Sequence, residues 1–336
     1  MRALSGLMAL AFMAMATPGF AEPRAAPGYD VEIIRKPGAI FAGLAHDGGA
    51  LLVTDLADGR LYRRTPDGRF IAFGPILPHG KDVIGDPTGP YRVARRGDNY
   101  LVAQGWTPAD QKDGPNDHAV LEVDESAVVR AVSNDFWNPY DFALFGEMIY
   151  VVDAARNSIE RLSGDGAKVS LFTFARLTVS GQELTALSPT EFGDKRHYET
   201  DAVPTGIAAH DGRLYVSLFG GFPFVAGSGR IVSLLDAGKV NTVRIEAVDL
   251  NAPVDITFDQ KGEMLVLEHG TFDQAGSWTS GTGKLISLNP ATGKRQTLLG
   301  GLTRPVAVLA CNDAEIVVSQ LDGVLIFLRH AVKPRP

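Results

Sequence analysis

The chain has 336 residues, with 32 Lys and Arg against 39 Asp and Glu, a formal net charge of −7, and one cysteine. That balance excludes a nucleic-acid surface, which needs clustered basic side chains, and a lone cysteine excludes a disulfide framework. Beyond residue 21 no stretch approaches the roughly 18 consecutive apolar positions of a membrane span, so no membrane insertion is expected.

The chain begins MRALSGLMALAFMAMATPGFA: one Arg, an apolar run from Leu4 to Ala16, a breaking Pro18, and small residues at Gly19 and Ala21. This pattern reads as a secretory signal peptide over residues 1–21, cut before Glu22, and predicts a periplasmic or secreted mature protein. Cys311 follows the apolar run Val306 to Ala310 and reads as a small buried hydrophobe, which an oxidising compartment tolerates.

After an isolated strand predicted over Tyr29 to Lys36, one pattern recurs: an anchor (Pro or Phe), an aliphatic or Phe three residues later, a Gly or Asp turn, then an apolar run ending the second strand. It appears as FAGLAHDGGALLV from Phe41, PYRVARRGDNYLV from Pro90, PYDFALFGEMIYV from Pro139, PTGIAAHDGRLYV from Pro204, PVDITFDQKGEMLV from Pro253 and PVAVLACNDAEIVV from Pro305. The starts lie 49, 49, 65, 49 and 52 residues apart. Third and fourth strands are legible as Leu61 to Thr65 with Phe70 to Phe73, Ser158 to Leu162 with Lys168 to Phe172, and Lys284 to Leu288 with Arg295 to Leu299, joined by turns such as Pro66-Asp67-Gly68. Six such units describe an all-β, six-bladed β-propeller over residues 29–330, with 331–336 as a tail. The sixth unit stops after three strands, so the strand at Tyr29 is expected to complete the last blade and close the ring.

In an up-and-down blade the second-to-third loops and the connections between blades share one face. Here they are long: Gln104 to His118, Leu218 to Gly229 and Glu268 to Gly283, plus an insertion of roughly 27 residues from Ala175 to Asp201. The other face has tight turns, so function is expected on the long-loop face. The loop LFGGFPFVAGSGR carries Phe219, Phe222 and Phe224 there, beside loops with Trp106 and Trp278. These aromatics either wall a cavity over the channel mouth or fold down as a private mini-core.

Two positions per unit are expected to face the channel mouth. The third residues read Gly43, Arg92, Asp141, Gly206, Asp255 and Ala307; the residues closing the second strands read Asp55, Gln104, Asp153, Leu218, Glu268 and Gln320. Five carboxylates and Arg92 would then share a small ring, which needs a cation, a counter-charge or raised pKa values. Asp141, Asp153, Asp255 and Glu268 are candidate ligands for a divalent ion such as Ca²⁺; Asp255, Glu268 and His269 are candidate acid or base groups. Equally, Asp141 and Asp255 can simply accept backbone N–H bonds at their strand entrances while Arg92 pairs with a carboxylate. His79, His118, His197 and His269 fall on the long-loop face, without metalloprotease spacing, and no nucleophile elbow, phosphate loop or dinucleotide fingerprint is present.

The segments ETDAVPTGIAAHDGRLYVSLFGGFPF, NPYDFALFGEMIYVVDAARNSIERL and DITFDQKGEMLVLEHGT resemble the ScyD/ScyE family of exported propellers, over about residues 38 to 328. The GGFPF loop is the most specific element. The resemblance implies a six-bladed exported propeller of the wider NHL and SMP-30-like superfamily. Glu in place of Leu218 is common in that family, so blade four lacks a carboxylate here.

Three functions remain open. The first is binding of a small, partly apolar or aromatic ligand between the loops of blades two, four and five, with Arg92, Trp106, Phe219, Phe222, Phe224 and Trp278 as contacts. The second is a metal-assisted hydrolase or lactonase similar to the SMP-30 and gluconolactonase propellers. The third is a monomeric scaffold that docks another exported protein.

Overall fold

The computed structural model describes residues 22–331 except 83–84, 106–113, 115, 181–196, 236–241, 274–275 and 313. Trp106 and residues 1–21, expected from sequence to be a signal peptide, therefore lie outside the described residues. Every regular element among them is a strand, and six antiparallel sheets surround a central axis as the blades of a propeller.

Each blade is four strands in chain order. The first pairs Phe41–Asp47, Ala50–Asp55, Arg60–Arg64 and Phe70–Phe73; the fourth pairs Pro204–His210, Arg213–Leu218, Gly229–Leu235 and Val243–Leu250. The sixth blade holds Pro305–Asn312, Glu315–Gln320 and Val324–His330, and its outer place is taken by Tyr29–Arg35, in register from Tyr29 opposite His330 to Arg35 opposite Val324. The ring thus closes as expected from the missing strand. One pairing was not legible: Arg24–Ala25 adds a fifth strand to the outside of blade five, against Leu299 and Gly300.

Among the described residues the core is six main slabs, one in each interface between neighbouring blades, with a small seventh cluster of Val179 and Val225. Leu52, Leu61, Val93 and Val102 join blades one and two; Phe41, Leu44, Val317 and Leu325 join blade one to blade six. A second strand therefore packs on both faces, which explains its unbroken apolar run and near-complete burial, as in Ile149 to Asp153. The outermost strands are largely half-buried or exposed, as Lys168–Thr173 is throughout.

The third residue of each unit sits where first strands crowd the axis. A Cβ on Gly206 would stand 2.7 Å from the Asp255 Cα, and one on Gly43 would stand 2.5 Å from the Tyr91 carbonyl oxygen. Glycine is required there by space rather than by backbone angle.

Within the insertion between blades three and four, Leu177–Ser180 pairs antiparallel with His197–Thr200. It props the phenylalanine loop: Gly221 N–H donates to the Asp201 carbonyl at 2.7 Å, and Thr200 Oγ1 donates to the Phe222 carbonyl at 3.1 Å.

Candidate functional site

One feature repeats in all six blades and builds the site. The anchor residue lies opposite the last residue of the second strand (Phe41 with Asp55, Pro90 with Gln104, Pro139 with Asp153, Pro204 with Leu218, Pro253 with Glu268, Pro305 with Gln320), and the register then slips by a bulge. The residue after the second strand donates its N–H to the carbonyl of the residue before the anchor, for example His269 to Ala252 at 2.9 Å and Phe219 to Val203 at 3.0 Å. A bulge re-aims the side chains that follow it. In five blades the second residue of the unit turns to the channel mouth (Tyr91, Tyr140, Thr205, Val254 and Val306), as does the residue after the second strand (Leu56, Ala154, Phe219, His269 and Leu321). Both positions are one residue away from those expected to face the mouth.

These positions enclose a cavity of about 180 Å³. Tyr91 and Tyr140 stack in its wall at 4.7 Å. Phe219 and Phe224 from blade four meet Trp278 from blade five at 5.6 and 5.0 Å, and Trp278 meets the His269 ring edge-on at 4.6 Å. Phe272 joins the cluster, 5.1 Å from Phe224. The phenylalanine loop is thus both a mini-core and a cavity wall: Phe219 and Phe224 line the cavity, while Phe222 is 54% exposed on the outside.

Polar groups complete the wall. Arg304 Nη2 donates to Asp86 Oδ1 at 2.7 Å, and Arg304 Nε donates to His269 Nε2 at 3.3 Å. The other ring nitrogen, Nδ1, lies 2.9 Å from the Pro305 carbonyl. A carbonyl only accepts, which assigns the proton to Nδ1 and leaves His269 neutral. Burial, reinforced by the Arg304 charge, pushes the imidazole pKa down to about 3. With both nitrogens engaged, His269 serves as a wall and as an acceptor for Arg304. Arg304 itself holds a left-handed backbone at φ 47°, as do Val203 at 48° and Ala252 at 49°, all immediately before an anchor. Such strain gathers where surrounding structure over-determines a site.

The carboxylates divide into two sets. Arg92 Nε stands 3.1 Å from Asp141 Oδ1 and its Nη1 is 3.8 Å from Asp255 Oδ2. Asp141 also accepts N–H bonds from Phe142 at 2.7 Å and Ile207 at 3.1 Å, and Asp255 from Ile256 and Val308, both at 2.8 Å. Each bridges its own strand to the next blade. Burial and the neighbouring Asp141 charge raise the Asp255 pKa to about 7, against the opposing pull of Arg92; burial raises Asp141 as well.

The second set clasps blade entrances. Asp153 accepts from the Trp137 and Asn138 N–H groups at 2.8 and 2.9 Å, Asp55 from Ile40 at 2.9 Å and Glu268 from Asn251 at 3.0 Å, with Lys284 Nζ 3.2 Å from the other Glu268 oxygen. Blade four, where Leu218 stands, takes its acceptor from blade three: Val203 N–H donates to Asn157 Oδ1 at 2.8 Å. A metal would compete with these bonds for the same oxygens, and among the described residues no three His, Cys, Asp or Glu side chains are grouped to hold a metal ion. The donor set does not fit a divalent cation.

Sequence reasoning missed Asp86, Tyr91, Asn138, Tyr140 and Arg304. The aromatics were in view as the second residue of their units, Pro90-Tyr91 and Pro139-Tyr140, and only the bulge hid their direction.

Fold and site together define a six-bladed β-propeller whose channel mouth carries an aromatic-walled cavity. No protein-family model matches the sequence, and no curated protein does. Among solved structures the fold is similar to a gluconolactonase from Xanthomonas campestris (14% identity, TM-score 0.59, 92% of this chain and 95% of that one). It is also similar to virginiamycin B lyase from Staphylococcus aureus (10% identity, TM-score 0.53, covering 90% and 99%). A third is Pseudomonas fluorescens PhoX in complex with vanadate (10% identity, TM-score 0.54, covering 93% and 96%). At these identities the likeness shows the shared propeller fold alone, and nothing of the chemistry.

Proposed function

We propose that this chain is an exported ScyD/ScyE-like propeller that binds a small, partly apolar or aromatic ligand in the cavity at its channel mouth. The observation that carries this reading is the wall itself: Phe219, Phe224 and Trp278 from two blades converge with Tyr91 and Tyr140 on one cavity. A void of about 150 Å³ lined by apolar side chains takes up a benzene ring, so a cavity of about 180 Å³ fits a ligand of one or two rings. The metal-assisted lactonase reading requires carboxylate oxygens released from the backbone bonds described above, and it is the weaker for that.

The test is a titration of the secreted protein with a broad panel of phenolic, sugar and lipid-like compounds, read by tryptophan fluorescence. Quenching that disappears in Trp278→Phe and weakens at least about tenfold in Phe224→Ala is expected. No response from any compound in the panel would count against a binding role for this cavity.

A further inference from the structure

Blade three carries a second recess, separate from the channel-mouth cavity. Two neighbouring residues at the entrance of this blade serve different sides: Asn138 lines the cavity, whereas Trp137 lines a groove of about 500 Å³ on the outside. The floor of the groove is the outer pair of strands, Ser158–Leu162 and Lys168–Thr173. Ser158 lies opposite Thr173 and Glu160 opposite Ser170, with a slip between the two pairs that leaves Leu171 out of register. That extra residue brings Ser170 and Thr173 to one face, which strict alternation would not. Further along, the same face turns apolar, where Leu162 packs with Val132 and Phe136.

Glu160 is the unusual member of this floor. It is 3% exposed, and among the described residues its only hydrogen-bond partner is Ser158 Oγ, 2.8 Å from Oε1. A carboxylate accepts at several positions, and a buried one with few donors is costly, so Glu160 offers unmet acceptor capacity to the groove. Two cations line the same groove, and both are tied back. Arg156 Nη2 donates to Asp135 Oδ1 at 2.9 Å, and Lys168 Nζ is 2.7 Å from Asp135 Oδ2. Ser170 and Thr173 are exposed, with hydroxyls that can donate or accept. At the rim stands Trp137, 59% exposed, with the Arg156 guanidinium 5.4 Å from its ring. A braced and exposed indole is an apolar plate beside a polar floor.

An anion would meet the Glu160 carboxylate and find both cations already paired with Asp135. An ammonium would meet Arg156 and Lys168. A hydrocarbon would cover Trp137 and leave Glu160 unmet. A neutral sugar ring answers each feature: its C–H face lies on an indole, while hydroxyls at its edge donate to a carboxylate and exchange hydrogen bonds with Ser and Thr. We infer that this groove binds a neutral pyranose ring, with Trp137 as the stacking plate and Glu160 as the acceptor for its hydroxyls. The assignment does not depend on what the channel-mouth cavity holds.

The experiment uses the full mature chain and ligand-observed saturation-transfer NMR at about pH 6. The probes are the neutral methyl pyranosides of glucose, galactose, mannose and xylose, with glucuronate as the anionic counterpart and glucosamine as the cationic one. At least one neutral glycoside is expected to bind, more tightly than either charged sugar and without weakening as salt is raised. Trp137→Ala should lower its affinity at least about tenfold. Glu160→Gln keeps an oxygen for Ser158 and is expected to weaken binding about tenfold with little change in melting temperature. Trp278→Phe, in the other cavity, should leave sugar binding unchanged. No binding of any neutral glycoside at about 10 mM would overturn the inference. So would tighter binding of glucuronate or glucosamine, which would make the groove a charge site. Sugar binding that survives Trp137→Ala and is lost in Trp278→Phe would move the sugar to the channel mouth and equally sink the assignment.

Discussion

Asp255 and His269 are buried groups held in opposite uncharged forms, and their effects on stability run against each other. The Asp255 pKa is raised to about 7 in the folded chain from an ordinary value near 4. The folded state therefore binds the extra proton, and the stability this confers is full below about pH 4 and lost as pH rises through about 7. His269 is lowered to about 3 from its ordinary 6.5, so the unfolded state binds its proton, and stability is lost as pH falls from about 6.5 toward 3. Between about pH 4 and 6.5 the two slopes cancel, each up to about 1.4 kcal/mol per pH unit. Urea unfolding across that range should separate them. Relative to the parent curve, Asp255→Asn is expected to make stability rise more steeply with pH, and His269→Gln to make it fall; parallel curves for all three proteins would show that neither group titrates this way.

At the scale of the element, the bulge at each blade entrance governs what faces the site. Binary alternation along Pro139-Tyr140-Asp141 allows either Tyr140 or Asp141 to face the mouth. The slip between Pro139 and Asp141 selects Tyr140 and turns Asp141 into the axis, where it reaches Ile207 of the next blade. Alternation is a period of two, so one inserted residue inverts every assignment after it. The loop aromatics Phe219 and Phe224, which lie outside the strands, are not subject to this inversion and line the cavity. Close packing of first strands makes its own prediction. Gly206→Ala puts a methyl group 2.7 Å from the Asp255 Cα and 3.0 Å from the Ile256 nitrogen, both backbone atoms that cannot swing aside. It is expected to cost about 1–3 kcal/mol in urea unfolding, whereas Gly146→Ala, whose Cβ meets nothing within 4 Å, carries only the penalty of its φ of 61°.

For the whole molecule, stability depends on closing the ring. The six core slabs lie between blades, so each blade is buried by its two neighbours, and the interface between blades six and one is held by a strand from the far end of the chain. Deleting residues 22–36 removes seven paired positions along Val324 to His330 and the cover on blade five. Thermal unfolding is expected to fall by more than about 10 °C, with recovery when a peptide of residues 22–36 is added. An unchanged melting temperature would mean that five closed interfaces suffice.

The number of blades and the closing strand were readable from sequence, because each rests on local period and turn chemistry. Six repeats of one pattern leave little freedom in how the chain pairs with itself. Which strand residues face the mouth was decided only by tertiary structure. A bulge is a relation between two strands rather than a property of either, and Arg304, Asp86, Tyr91 and Trp278 meet from places far apart in the chain. The arrangement of the carboxylates has the same cause: in the folded chain each of them accepts backbone N–H bonds, which no residue pattern along a single segment displays.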